Sequence, residues 1–391
     1  MADECQPVAV YQLVLYDTTG TRLAIIDDYR SLQYGHQVNG AGFFTLNLSY
    51  NDSKRSLFQS NYILEVKRKI PEYLDWYSEF VGHCEDFAPT FYGNGNTQFS
   101  IVGSGFNGLL GRVIVAYEEG SAQSKKSAAA ETAMKEYVRE NRGDLATIAN
   151  GREADASLTG FSVEADGASG DTWDGERSGK KLLEALQDIA NYSNIDYNTI
   201  VHPTLGMGSY LFETYVGQMG LDRTTLGLDT STGLNAAGNS PHVFSLERGN
   251  VQVAYLRQKH KTEINRVFVY GQDDITGLGI IRYRENFEAV DGDALNVREA
   301  MRGGASQATD AEMDALGDEY LEEYQFKELF EFVPVDTPAS VYGLDFTIGD
   351  RMTVKLGDIE RDKRLTRVSV TVSGNESGES NKTFEFEDVP R

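Results

Sequence analysis

At 391 residues, with 40% hydrophobic and 25% charged side chains, the chain has a folded protein's composition and is too long for one ordinary core; two to four domains are expected. Sixty acidic against 36 basic residues leave a net charge of −24, which repels phosphate backbones and argues against binding DNA or RNA, although plain solubility accounts for it as well. No run approaches the roughly 20 apolar residues that span a bilayer, residues 1–6 carry Asp3 and Glu4 where a secretory signal needs apolar residues, and Cys5 and Cys84 match no disulfide or zinc framework and are expected as free thiols in a reducing cytoplasm.

Abundant Tyr (21) and Phe (19) with few Pro (8) lean toward β-structure. Residues 9–16 are a β-rich run ending in the turn Asp17-Thr18-Thr19-Gly20, and 21–27 follow as a hairpin partner. Residues 42–48 alternate apolar and polar from Phe44 onward, as a half-buried strand does. Further strands are predicted at 62–68, 79–87 and 97–102, the last two flanking the turn Gly93-Asn94-Gly95-Asn96. Beyond Tyr117 the pattern changes. The spacing of Ala133, Tyr137 and Glu140 predicts a helix over 124–140, stopped by Gly143, and the Gly/Asp/Ala-rich stretch 144–176 reads as loops or a thin hairpin. Ser178 is the expected cap of a helix over 179–192 whose apolar stripe is Leu182, Leu183, Leu186, Ile189 and Ala190.

Strand-like runs return at 195–201 and 209–216, and 220–240 reads as an exposed loop. Strands at 242–246 and 265–270 surround a mixed segment. A last helix is predicted over 310–325, with a capping box at Thr309-Asp310-Ala311-Glu312 and a buried face of Met313, Leu316, Tyr320, Leu321 and Tyr324. The tail from Glu331 onward is β again, with strands at 351–356, 365–373 and 383–387 and a loop at 374–380. Strand, spacer, strand, Gly/Asn turn, strand is thus the order at both ends of the chain (62–102 and 351–387), the trace of an internal duplication.

No catalytic constellation stands out. Gly103-Ser104-Gly105-Phe106-Asn107-Gly108 spells the dinucleotide-binding pattern, but Leu109-Leu110-Gly111-Arg112 allows one helical turn before β-branched residues, not the long helix that holds a pyrophosphate. His36, His83, His202, His242 and His260 lie at no metal-ligand spacing. The pairs Asp27-Asp28, Glu85-Asp86 and Asp273-Asp274 are what 60 acids produce by chance rather than a glycosidase dyad, and Ser104 sits in no nucleophile elbow. No catalytic, cofactor or metal residue is assigned.

An ordered set of landmarks is more informative. Gly42-Phe43-Phe44-Thr45-Leu46-Asn47-Leu48 is followed by the strand 62–66, Phe80-Val81-Gly82, and Phe99-Ser100-Ile101-Val102-Gly103 with Leu109, Leu110 and Arg112. Leu211-Phe212-Glu213 with Gly217 and Asp222-Arg223-Thr224 come next, then Val243-Phe244-Ser245 with Gly249-Asn250, Asn265-Arg266-Val267 with Gly271, and Tyr342-Gly343-Leu344-Asp345-Phe346 with Ile348-Gly349-Asp350 and Val354. In order and spacing this set resembles the siphophage tail hub family, relatives of the central baseplate hub of contractile-tailed phages, over nearly the whole chain. The acidic composition and residues 144–176 depart from the family.

The resemblance implies an α+β, mainly β fold of two similar small β-barrels with α/β insertions. Laid on this sequence, it places an N-terminal barrel at 1–117, an α/β insertion at 118–240, a second barrel at 241–272 and 330–391, and a helical and loop insertion at 273–329. It also implies a homotrimer on the tail axis, surrounding the DNA exit path of a virion assembled in the host cytoplasm. The expected partners are the distal tail ring protein, the tape-measure protein, and tail fibre or tip proteins. A tail-tip enzyme that degrades carbohydrate and a receptor-binding adhesin are the competing functions.

Overall fold

The computed structural model describes residues 9–71, 73–116, 123–272, 279–303, 310–374 and 379–389. Cys5, Asp273, Asp274, Thr309 and most of the 374–380 loop lie outside them. The chain divides into two compact units, one of Met1–Val251 with Pro334–Arg391 and one of Gln252–Val333.

The first unit opens with seven strands: β1 (Val10–Tyr16), β2 (Arg22–Ile26), β3 (Ser31–Gln37), β4 (Phe43–Ser49), β5 (Ile63–Ile70), β6 (Leu74–Phe91) and β7 (Thr97–Gly105), followed by the single turn α1 (Gly108–Gly111). The alternation read in β4 is physical, since Phe44, Leu46 and Leu48 are fully buried and the residues between them are half-buried. In β6 the register against β5 slips at Glu79, so this residue is the extra one of a β-bulge.

The α/β part follows: β8 (Lys125–Ala129), α2 (Ala130–Asn141), β9 (Phe161–Val163), β10 (Thr172–Glu176), α3 (Leu182–Ser193), β11 (Ile195–His202) and β12 (Gly206–Val216). Two corrections to the sequence reading have physical causes. The predicted helix over 124–140 begins only at Ala130, because 125–129 pair as a strand with β10 and this pairing overrides the helical propensity of Lys and Ala. The helix expected from Gly179 begins at Leu182, because Gly179 has φ +77°, outside the helical region, and the Ser178 hydroxyl accepts instead from the Ser124 N–H (2.7 Å). The apolar stripe of α3 is as read, with Leu182, Leu186 and Ile189 fully buried against α2 residues such as Met134 and Tyr137. The weakly patterned stretch after α2 contains β9 and β10. It is tied down by Glu131, whose carboxylate accepts from Lys135 Nζ (2.5 Å), Gly167 N (3.2 Å) and Ser169 N (2.9 Å). Two short strands, β13 (Asp222–Arg223) and β14 (Val243–Ser245), close this part.

The second unit holds β15 (Val251–Lys259), β16 (Arg266–Gln272), β17 (Gly279–Glu285), α4 (Phe287–Val290), β18 (Glu299–Gly303), α5 (Asp310–Glu323) and β19 (Lys327–Pro334). β15 pairs with β19, while β17, β16 and β18 form a three-stranded sheet in that order. Met313, Leu316, Tyr320 and Leu321 of α5 cover one face of this sheet through Val267, Val269 and Ile280. Tyr324, expected on the buried face, lies beyond the helix end, where it is exposed and stacks on Tyr320 (4.6 Å). No described helix is long and apolar enough to cross a membrane.

The chain then returns to the first unit as β20 (Arg351–Leu356), β21 (Ile359–Ser373) and β22 (Glu379–Asp388). Because β21 pairs with β3, strands from both ends of the chain share one sheet, ordered β13-β20-β21-β3-β4-β7-β6-β5-β1-β2, with β14 beside β20 and β22 beside β21. The result is an α+β fold dominated by strands. The long strands β6 and β21 are built alike. β6 pairs β5 over 74–83 and β7 over 82–91, and β21 pairs β20 over 359–364 and β22 over 363–372. In each, the first half pairs with the preceding strand and the second half with the following one.

Candidate functional site

Three buried polar nodes join distant stretches of the first unit. In the first, the fully buried Asp350 carboxylate accepts from Leu221 N (2.6 Å), Arg223 Nε (3.1 Å) and Thr347 N (3.0 Å). Gly349, at φ +88°, permits this approach, since a Cβ there would stand 2.1 Å from the Met219 carbonyl oxygen. In the second, Asp196 accepts from Arg364 Nη2 and from Asn39 Nδ2 (2.8 Å). Asn39, left-handed at φ 55°, turns its own oxygens to Tyr197 N (2.9 Å) and Tyr197 Oη (2.8 Å). In the third, Arg68, 1% exposed, donates to the Tyr342 carbonyl (2.7 Å) and to Tyr77 Oη (3.0 Å). Each node satisfies a charge that would cost several kcal/mol if buried alone, so each fixes where one stretch of chain meets another.

Between the first strands and β11 lies a cleft of about 300 Å³, lined among others by His36, Glu79, Phe80, Asn107, Thr199 and Ile348. His36 Nε2 is 3.8 Å from Glu79 Oε1, and burial lowers the His36 pKa, which keeps the ring neutral. Asn107 is committed on both sides, donating to the Gly40 carbonyl (3.0 Å) and accepting from Thr199 N (2.8 Å). These groups brace the cleft. A nucleophile hydrogen-bonded to a base, the geometry that acyl or glycosyl transfer requires, is not formed by them.

The residues singled out by the sequence are scattered. His83 Nδ1 donates to the Asn61 carbonyl (2.9 Å), His242 meets Ser340 Oγ (3.1 Å), and His260 meets Glu263 (2.9 Å) and stacks on Phe326. Burial depresses the pKa of both His83 and His242 to about 4, aided by the nearby cations Arg112 and Arg223 respectively. His202 accepts from the N–H groups of Thr204 and Leu205. Among the described residues no three His, Cys, Asp or Glu side chains are grouped to hold a metal. Glu85 binds Arg112 (2.7 Å) and the Ser104 hydroxyl (2.8 Å), while Asp27 pairs with Lys54. Cys84 is a buried free thiol whose pKa burial pushes up to about 12. In the Gly103–Gly108 motif, a Cβ on Gly103 would stand 2.0 Å from the His83 carbonyl and 2.3 Å from the Phe44 ring, so this glycine serves strand packing, and α1 is four residues long.

Sequence reasoning missed Arg68, Glu79, Asp196 and Arg364, which lie in strands where nothing local marks a buried charge. It did pick out Asp222-Arg223-Thr224 and Ile348-Gly349-Asp350, 127 positions apart, which the structure brings together at the Arg223–Asp350 pair. Landmark asparagines also hold turns. Asn250 bridges Ser245 N (2.9 Å) and the Val243 carbonyl (3.0 Å), and Asn265 bridges Arg298 N (2.8 Å) and the Asn296 carbonyl (2.7 Å).

Residues 12–384 match the family model described as Siphovirus ReqiPepy6 Gp37-like protein. No curated protein sequence matches the chain. Among solved structures, the 43 kDa tail protein of prophage MuSo2 from Shewanella oneidensis is similar at a TM-score of 0.55 and 12% identity, over 96% of this chain and 97% of that one. The tail protein from Neisseria meningitidis MC58 is similar at 0.50 and 14%, over 96% of each chain. At such identities the likeness is one of fold, and it runs the full length of both relatives.

Proposed function

The chain belongs to the Siphovirus ReqiPepy6 Gp37-like protein family, and on that premise we propose that it is a structural virion protein that forms a trimeric hub at the tip of a phage tail. The observation that carries this reading is the family match over 12–384, on a fold shared end to end with two phage tail proteins. The hub joins the sixfold tail to the tip, and its neighbours are the distal tail ring protein, the tape-measure protein, and fibre or tip proteins. Its role is mechanical, and the buried nodes suit it, because they lock early and late strands into one platform.

The symmetry argument rests on duplication. The like construction of β6 with its neighbours and β21 with its neighbours supports two related barrels, one from residues 1–117 and one from 241–272 with 330–391. Three copies of a doubled barrel offer six near-equivalent contacts to a sixfold ring. Three copies around the axis would also line the DNA exit path. A net charge of −24 suits a wall that repels phosphates within a screening length of about 8–10 Å.

Removing the chain from an assembling phage tests the reading. The expected result is tails that lack a closed tip, with no infectious particles. Complete, infectious tails without it would contradict the proposal, and tight binding of duplex DNA by the purified chain at physiological salt would contradict the repelling wall.

A further inference from the structure

Two arginines of the first unit stand near His83 in different circumstances. Arg112, which follows α1, is committed, with Nη2 on Glu85 (2.7 Å) and Nη1 on the Asn61 side chain (2.6 Å). Arg142, which ends α2, has no such partner. It is half-buried, its Nε has no hydrogen-bond partner among the described residues, and its side-chain bond is a long one, from Nη1 to the Ala156 carbonyl (3.4 Å). Burial lowers the Arg142 pKa, and Arg112 lowers it further. A guanidinium held partly out of water, without a carboxylate and beside a like charge, is destabilising until an anion meets it.

His83 and Tyr210 complete the cluster. Their rings lie 5.5 Å apart, and each packs on Phe106 (5.0 and 4.9 Å). Burial lowers the His83 pKa and raises that of Tyr210, and the charges of Arg112 and Arg142 reach both rings. Because His83 Nδ1 donates to the Asn61 carbonyl, Nε2 is the unprotonated nitrogen of the neutral ring. It is buried and has no partner among the described residues. The Tyr210 hydroxyl likewise forms no hydrogen bond with a described residue.

We propose that Arg112, Arg142, Tyr210 and His83 form a binding site for inorganic phosphate, a property independent of the hub reading. The guanidinium N–H groups and the phenol donate to phosphate oxygens, as Arg does wherever planar recognition of an oxyanion is needed. The oxygen that keeps its proton at neutral pH donates to His83 Nε2. Each unpaired atom is thus used in its own polarity, three donor groups and one acceptor. Sulfate has the same shape and no proton at neutral pH, so it would set a lone pair against Nε2 and leave that nitrogen unsatisfied. A phosphodiester has no proton either, so the site refuses a nucleic-acid backbone, in keeping with the net charge of −24.

The test is isothermal titration calorimetry on the purified full-length chain at pH 7 and constant ionic strength, with inorganic phosphate, sulfate and glycerol 3-phosphate as probes. The variants are Arg142→Gln, Tyr210→Phe, His83→Phe and a control, Arg139→Gln, whose side chain is exposed and bound to Asp144. Circular dichroism and the melting temperature report folding. Tyr210→Phe removes only a hydroxyl, so it keeps the test decisive if His83→Phe does not fold. The expected result is one phosphate per chain, with sulfate weaker by roughly tenfold or more. Arg142→Gln should weaken phosphate roughly tenfold or more and Tyr210→Phe roughly three- to tenfold. Arg139→Gln should change it by less than about twofold, and a folded His83→Phe should no longer prefer phosphate to sulfate. Glycerol 3-phosphate binding as tightly as phosphate supports the site and makes a phosphate ester its source. A wild type that binds no phosphate saturably overturns the proposal, as does an equal loss in Arg142→Gln and Arg139→Gln. Sulfate bound as tightly as phosphate by the wild type overturns the role given to His83.

Discussion

The two units solve the problem of burying a sheet in opposite ways. In the first, strands from both ends of the chain close over a large core, and the charges taken inside (Asp350, Asp196, Arg364, Arg68) find partners far away in sequence. In the second, one helix covers one face of a short sheet, charged side chains pair at the surface (Arg282 with Asp314, Arg284 with Asp318), and on the other face Tyr270, Ile281, Tyr283 and Met301 are exposed among the described residues. A self-sufficient interior is sensitive to substitution inside it. A sheet packed on one face tolerates substitution at the exposed positions of the other.

The largest expected effect sharpens the first half of this contrast. Leu186→Asp puts a charge among the fully buried residues of α3 and should cost about 5 kcal/mol or more, enough to unfold the α/β part, as seen by thermal denaturation. An unchanged melting temperature would contradict the assignment of this core. Next, Asp350→Ala strands the Arg223 guanidinium and the backbone N–H groups of Leu221 and Thr347, and should cost about 3–5 kcal/mol in denaturant unfolding.

Acid should act on the first unit in a defined window. His83 and His242 are buried, and their pKa of about 4 lies below the ordinary 6.5 of an unfolded histidine. Above pH 6.5 both states are neutral and the stability is complete. As the pH falls from 6.5 toward 4, the unfolded chain takes up protons that the native state refuses, and stability declines by about 3 kcal/mol per histidine. Replacing each by Asn or Gln should flatten this stretch of the stability profile. A profile with the same slope in both proteins would remove the histidines from the account. The smallest effect belongs to the second unit, where Arg284→Ala should cost no more than about 1 kcal/mol, because its ion pair with Asp318 is exposed. A loss as large as that of Asp350→Ala would erase the distinction drawn between the units.

Much of this was legible in the sequence where one physical signal dominates. Phe44, Leu46 and Leu48 announce a half-buried strand, and Leu182, Leu186 and Ile189 announce a helix, because period 2 and period 3.6 are local facts. The landmark series also pointed to siphophage tail proteins, and the family match agrees. It succeeded because Gly349, Asp350, Asp222 and Arg223 sit where separate stretches touch, a position that restricts residue type. What stayed hidden was nonlocal. The strand at 125–129 exists only because β10 lies beside it, and nothing near Glu79 signals the bulge that it occupies. Strands β15, β17 and β18 were missed, since their sequences mix charged with apolar residues, as at Arg282 and Arg284 in β17, where each arginine meets an acid of α5. The candidate site was least legible, because Arg68, Asp196, Asp350 and Arg364 meet partners far away in sequence, which periodicity does not report.

The most direct test of the central claim is the symmetry of the tail layer that contains this chain, measured by electron cryomicroscopy of intact tails without imposed symmetry. The account predicts a threefold layer of three chains around an open, net negative channel, joined to a sixfold ring. A sixfold ring of this chain itself, or a single copy off the axis, would contradict it.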